Sequence, residues 1–174
     1  MLKYYALLIG VFFLANSAHA QNARELGGEY MKMIGQNHNT TKVAARGESF
    51  SNKNSFSVGI TYQFASGKSY SVSTGFGIYA GYRYAFGNNI KGSNPFAGAR
   101  ILFSFENWAG QTNRNSLLIT PFAEAGYHLV FAKRIYAAPS IGYGYTMKIS
   151  KDFNSLDEDA GKRFIPSLSA GYRF

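Results

Sequence analysis

The residues best suited to acid–base chemistry in this sequence are His128 and Glu124. An imidazole can take a proton from a nucleophile, and a carboxylate can orient the imidazole. The two residues are four positions apart in a segment that alternates apolar and polar residues, so both side chains face the same side of a strand, roughly 13 Å apart. Since that separation excludes a direct hydrogen bond, we predict no catalytic residue and keep an enzyme only as a minor alternative.

Two other patterns resemble ligand sites. The triplet Asp157-Glu158-Asp159 could attract a divalent cation, because such ions prefer carboxylate oxygens, but it lacks the spacing of a calcium-binding EF-hand loop. Gly75, Gly77 and Gly81 do not have the spacing of a dinucleotide-binding turn. His38 lies in a predicted polar loop. We therefore predict no metal and no cofactor, and interpret the triplet as a solvated loop tip.

The tripeptide Ala-Gly-Tyr occurs three times, beginning at Ala80, Ala125 and Ala170. Its glycines are 45 residues apart both times, and each copy is followed by an arginine or a histidine. A regular repeat of this kind is typical of one strand-turn-strand unit that is used several times. The repeat therefore predicts a sheet built from similar hairpins.

Alternation of apolar and polar residues predicts the strands that carry these tripeptides. Six segments show the pattern well: 56–64, 70–86, 97–105, 117–131, 135–149 and 164–174. Two more strands are placed at 28–35 and 42–50, where the alternation is poor. Pro121, Pro139 and Pro166 fall inside predicted strands, and we interpret them as bulge or strand-end positions because proline cannot donate to a sheet ladder.

The first 20 residues have the organisation of a signal peptide. Met1-Leu2-Lys3 is positive, the run from Tyr4 to Leu14 is apolar, and Ala18-His19-Ala20 has the small-x-small pattern of a cleavage site. We predict cleavage after Ala20, which leaves residues 21–174 as one exported domain.

The composition favours membrane strands over membrane helices. The chain has 13 Tyr, 15 Phe and 19 Gly, no Cys, and a formal net charge of +9. A strand that faces lipid on one side only has apolar and polar residues in similar numbers, so the mean hydropathy of such a chain is near zero. The mean hydropathy of this chain, −0.16, agrees with that expectation. After residue 20, no apolar run approaches the roughly 18 residues of a membrane helix. The basic residues are spread thinly, which argues against nucleic-acid binding.

A sheet in hydrocarbon must close, because each unpaired backbone group there costs several kcal/mol. We predict an all-β fold: a single closed antiparallel up-and-down transmembrane β-barrel of eight strands, a common minimum for bacterial barrels. Both termini then face the periplasm. The external loops are predicted near 36–41, 65–69, 107–116 and 151–163, and the short turns near 51–54, 87–95 and 132–134. A soluble β-sandwich or lipocalin-like barrel is the rival fold, in which the apolar faces would form the core.

The strand pattern assigns each side chain to the lumen or to lipid. The predicted lumen charge network, which must be paired because it is buried, consists of Arg83, Arg100, Glu106, Glu124, His128, Lys148 and Arg173. The predicted aromatic girdle, which would lie at the membrane interface, consists of Tyr82, Tyr127, Tyr172 and Phe174. Gly81, Gly126 and Gly171 point inward, where a narrow lumen leaves little room.

The C-terminal run Leu168-Ser-Ala-Gly-Tyr-Arg-Phe174 resembles the terminal signal of bacterial outer-membrane barrels. The matching positions are Leu168, Ala170, Tyr172 and Phe174. From residue 55 to the end the chain is similar to the small outer-membrane β-barrel proteins, such as OmpX or the barrel of OmpA. That resemblance implies recognition by the barrel assembly machinery and location in the outer membrane of a Gram-negative bacterium.

Three functional hypotheses follow. The first is an integral outer-membrane barrel with a side-chain-filled lumen and a structural or surface-interaction role. The second is a narrow porin-like channel for small solutes, and the third is a lipid A-modifying enzyme. The expected partners are outer-membrane lipids, lipopolysaccharide, whose phosphates attract external positive charge, and the assembly machinery. We expect a monomer.

Overall fold

A computed structural model describes residues 23–35, 39–67, 73–87, 92–108, 114–149 and 160–174. It contains eight strands: β1 Arg24–Gly35, β2 Asn39–Ser51, β3 Asn54–Gly67, β4 Ser73–Ala85, β5 Asn94–Trp108, β6 Arg114–Phe131, β7 Ile135–Lys148 and β8 Gly161–Arg173. The predicted signal peptide lies outside the described residues. Within them, no helix is long and apolar enough to cross a membrane.

The strands form one closed antiparallel barrel in sequence order, with β1 paired to β8. A path of directly paired residues that leaves β1 at Glu25 returns to β1 at Gly35, ten positions further along. This stagger means that the strands are tilted relative to the barrel axis. The predicted fold class, closure and strand number are confirmed.

The side chains alternate between a buried inner face and an exposed outer face. The outward residues are large and apolar, such as Phe76, Ile78, Phe105, Ile141 and Tyr143, which are 57–66% exposed. An exposed apolar wall of this kind is what a lipid-facing barrel presents. It also contradicts the rival soluble fold, which would bury these faces.

The first two strands are longer than predicted: β1 begins at Arg24 instead of residue 28, and β2 begins at Asn39 instead of residue 42. Their alternation is poor because both faces are mixed. Met31 and Met33 point inward and are buried, whereas Gly28 and Lys32 point outward and are exposed. A search for apolar residues at every second position therefore underestimates both strands.

Both ends of the described chain lie at one end of the barrel, together with the turns at 52–53 and 132–134, the end of β4 and the start of β5. We call this the terminal end and the opposite one the loop end. In the 132–134 turn, Arg134 N donates to Phe131 O at 3.1 Å, and Ala132 and Lys133 both have positive φ. Two consecutive residues with positive φ at the centre of a turn closed by this bond are typical of a type I′ turn.

The three strand prolines are not at strand ends, so that part of the prediction is wrong. Pro121, Pro139 and Pro166 lie well inside β6, β7 and β8. Each keeps a paired residue on one neighbouring strand and interrupts the ladder to the other: Pro121 towards β7, Pro139 towards β6 and Pro166 towards β1. One broken side is the direct consequence of a missing N–H.

Candidate functional site

The glycines of the Ala-Gly-Tyr repeat lie at crowded positions of the barrel wall. The Ala-Gly-Tyr copies lie on β4, β6 and β8, and their glycines face inward. A Cβ at Gly81 would lie 2.8 Å from Arg100 Cγ, at Gly126 2.4 Å from Pro139 O, and at Gly171 2.2 Å from Leu26 O. A β-carbon at such distances would force neighbouring atoms to shift, so the repeat marks positions where the wall leaves little room for a side chain.

At the terminal end, Glu25 links β1 to β6 and β8. Its carboxylate accepts a hydrogen bond from Arg173 Nε at 2.8 Å and lies 3.0 Å from His128 Nε2. The His128 ring is stacked on Tyr136, with 5.4 Å between centroids, and meets Phe50 edge-on at 5.6 Å. The imidazole is therefore held on three sides inside the lumen, and its carboxylate partner is Glu25 instead of Glu124.

Glu124 is the centre of the largest ion-paired cluster. It accepts from Arg83 Nε at 2.6 Å and from Arg100 Nε at 2.8 Å. Arg100 also donates from Nη1 to Glu29 at 2.6 Å, so one guanidinium joins carboxylates on β1 and β6. The Tyr79 hydroxyl donates to the same Glu29 carboxylate at 2.6 Å. These contacts connect β1, β4, β5 and β6 through the middle of the barrel.

Glu48 holds a second cluster on β2. It accepts from Arg46 Nη2 at 2.5 Å and from the Ser55 hydroxyl at 2.5 Å, and it lies 3.5 Å from Arg83 Nη1. Arg46 also donates from Nη1 to the Ser169 hydroxyl at 3.2 Å. Because Arg83 contacts both Glu48 and Glu124, the two clusters form one network.

Lys42 forms the charged layer nearest the loop end. Its ammonium donates to Gln63 at 2.5 Å, to Ser104 at 3.1 Å and to Glu106 at 3.1 Å. Three acceptors satisfy the three protons of an ammonium group. Lys42 is thus fully paired even though it is buried.

Charge inside the barrel is nearly balanced. The buried carboxylates of the described residues are Glu25, Glu29, Glu48, Glu106 and Glu124, and the buried Lys and Arg residues are Lys42, Arg46, Arg83, Arg100, Arg163 and Arg173. Two cavities among them have volumes of about 20 Å³ at the terminal end and about 10 Å³ at the loop end. Each has room for about one water molecule, so paired side chains occupy the lumen around them.

The structure places six of the seven residues of the predicted charge network in the lumen and fully buried. The seventh, Lys148, lies half-buried at the loop end of β7, on the inward-facing side of the strand. Sequence reasoning missed the carboxylates Glu25, Glu29 and Glu48 and the cations Lys42, Arg46 and Arg163. Charge balance could have found the carboxylates, because the predicted network had only two carboxylates and an excess of cations, and buried cations require partners.

The residues of the predicted girdle all point away from the lumen. Tyr82, Tyr127, Tyr172 and Phe174 are 50%, 44%, 41% and 69% exposed. Leu168 and Ala170, the remaining residues of the predicted assembly signal, are exposed on the same face of β8. The geometry allows a partner to contact this face, and recognition by the assembly machinery stays a prediction.

Over the described ranges, no group of three or more His, Cys, Asp or Glu residues could hold a metal ion. His38 and the triplet 157–159 lie outside those ranges. Among the described residues, His128 and Glu25 form an imidazole–carboxylate contact, and the rings of Phe50 and Tyr136 pack against the imidazole.

No protein-family model matches the chain, and no curated protein matches it in sequence. Solved structures do match in fold. The N-terminal barrel domain of Pseudomonas aeruginosa OprF superposes with a TM-score of 0.63 at 14% identity, over 88% of this chain and 98% of that one. Neisserial surface protein A gives 0.61 at 17%, over 87% and 95%.

A third match is Ail, the attachment invasion locus protein of Yersinia pestis, in complex with the heparin analogue sucrose octasulfate. It has a TM-score of 0.51 at 12% identity, over 88% of this chain and 97% of that one. All three are small outer-membrane barrels of eight strands. The chain therefore has the fold of the small eight-stranded outer-membrane β-barrels.

Proposed function

We propose that this protein is an integral outer-membrane barrel whose lumen is a closed, ion-paired plug, and that it serves envelope structure or surface contact through its loops. The single observation that carries the proposal is the division of its side chains: large apolar residues outside, paired charges inside. A small barrel filled by side chains leaves no continuous aqueous path.

Location in the outer membrane of a Gram-negative bacterium, export through cleavage near Ala20 and a monomeric state belong to the same proposal. Lipopolysaccharide is the proposed partner of external positive charge, and the assembly machinery the proposed partner of the C-terminal strand. The fold shared with outer-membrane barrels supports this assignment.

Conductance separates this proposal from the channel alternative. The purified protein, reconstituted into a planar bilayer at neutral pH, is expected to give no discrete openings. Reproducible openings would favour a narrow porin-like channel for small solutes. A gel-mobility difference between unboiled and boiled samples checks that the barrel is folded. An absence of openings then cannot be attributed to an unfolded chain.

The enzyme alternative is tested through His128. Replacing His128 by Ala is expected to leave the lipid A composition of the host unchanged. A changed acylation pattern would support a lipid A-modifying activity and would contradict the proposed role.

A further inference from the structure

Acidic and basic side chains are distributed unequally between the lumen and the described outer surface of the barrel. All five described acidic side chains are turned into the lumen, where each is at most 5% exposed. The remaining acidic residues of the sequence, Asp152, Asp157, Glu158 and Asp159, lie at 150–159, outside the described ranges. Every charged side chain described on the outside is therefore a Lys or an Arg.

Three of these cations belong to the terminal end: Lys53 in the β2–β3 turn, and Lys133 and Arg134 in the β6–β7 turn. We call them the basic collar. Arg134 lies beside the end of β8, because Arg173 N donates to Arg134 O at 2.6 Å. Lys53, Lys133 and Arg134 are exposed.

The collar begins where the apolar wall stops. Phe131 and Ile135, which flank the turn that carries Lys133 and Arg134, are 51% and 55% exposed, and Phe174 is 69% exposed. The headgroup layer of a bilayer extends roughly 5–7 Å beyond the hydrocarbon on each side. Long basic side chains one or two residues from the last apolar residue reach that layer, as snorkelling Lys and Arg do.

We propose that the basic collar binds the phosphate groups of anionic phospholipids in the leaflet at the terminal end of the barrel. The inference rests on the proposed membrane insertion and adds a lipid preference to it. Arg can bind a phosphate through two parallel hydrogen bonds and Lys as a point charge. No acidic side chain described on the outer surface competes for these cations.

A tryptophan beside the collar reports which lipid is bound there. Phe131 is replaced by Trp and the natural Trp108, near the loop end, by Phe, so that fluorescence arises at the terminal end alone. Quenching by brominated phosphatidylglycerol is compared with quenching by brominated phosphatidylcholine in mixed vesicles. The test pair is Lys133→Gln with Arg134→Gln. The matched control is Lys32→Gln with Lys162→Gln, two exposed outward cations towards the loop end.

The reporter protein is expected to prefer phosphatidylglycerol at low salt, and the test pair to lower that preference about five-fold for each charge removed. The control pair should leave it unchanged. An equal loss in both pairs, or no preference before substitution, would overturn the collar as a phosphate site. The proposal would also be overturned if the variant with both test substitutions kept its preference for phosphatidylglycerol. Binding of soluble anionic cell-wall fragments that brominated lipid does not displace would overturn it as well.

Failure of the proposed function is distinguishable in the same experiment. A protein that does not insert shows no quenching by either lipid and no gel shift on boiling. An inserted barrel without a lipid preference is quenched equally by both.

Discussion

Replacing Glu124 by Gln removes the carboxylate at the centre of the lumen network. Glu124 accepts two short charge-assisted hydrogen bonds, at 2.6 Å from Arg83 and 2.8 Å from Arg100. Each hydrogen bond to a charged group contributes about 1.5–3 kcal/mol. Gln keeps the size and one acceptor oxygen, and both arginines keep another carboxylate, Glu48 or Glu29. We therefore expect a loss of about 3 kcal/mol in the free energy of unfolding.

Glu106→Gln is the matched comparison, because it is the same substitution at an equally buried lumen carboxylate. Lys42 loses one contact of 3.1 Å and keeps Gln63 and Ser104. The expected loss is about 1.5 kcal/mol, half that of Glu124→Gln. The measurement is reversible urea unfolding in lipid vesicles, followed by the fluorescence of Trp108, the single tryptophan of the chain.

A cycle with Arg83→Gln tests the pairing itself. In the Glu124→Gln background the second substitution should cost less than in the original protein, with a coupling of about 1–2 kcal/mol. The reasoning is refuted if Glu124→Gln and Glu106→Gln cost the same, or if the Arg83 and Glu124 substitutions are additive. Either result would mean that the lumen ions are solvated and that their pairing does not hold the barrel together.

Two further predictions concern the backbone. Gly171→Ala should destabilise the barrel by about 1–3 kcal/mol, because its Cβ would lie 2.2 Å from Leu26 O and 2.5 Å from Gly27 Cα. Gly28→Ala, whose Cβ would find its nearest neighbour at 3.9 Å, should be neutral in the same urea titration; equal losses would contradict the crowding argument. Replacing Ala132-Lys133 by Asn-Gly should raise the unfolding free energy by about 1–2 kcal/mol, since both residues have positive φ, and a lower midpoint would show that the turn is not strained.

The outer face of the barrel could be predicted from the sequence better than the lumen. Lipid requires an apolar residue at every second position, so strands such as β7 and β8 are read directly from their alternation. In β1 the requirement is weakened, because Met31 and Met33 fill the lumen and Lys32 points outward. The alternation of apolar and polar residues in β1 is therefore too weak to identify the strand from the sequence.

The partners of the lumen charges could not be predicted, because they depend on the tilt of the strands. Arg100 on β5 reaches Glu29 on β1, a strand that is not its neighbour in the sheet and a residue 71 positions away. The ten-residue stagger decides which inward side chains share a level, and alternation carries no information about it. His128 illustrates the limit: its inward direction was predicted, and its contact with Glu25 was not.

The pairing of β1 with β8 has a consequence for how the barrel closes correctly. Glu25 and Arg173 stand directly opposite each other there, and their side chains are also bonded. If β1 and β8 paired with a register shift of two residues, every apolar outward side chain would still face lipid, because side-chain direction along a strand repeats with a period of two. Apolar side chains do not distinguish the two alignments, but in the shifted one Glu25 would no longer stand opposite Arg173. The ion pair between Glu25 and Arg173 therefore favours one register of the β1–β8 pairing over others that would expose the same apolar face to lipid.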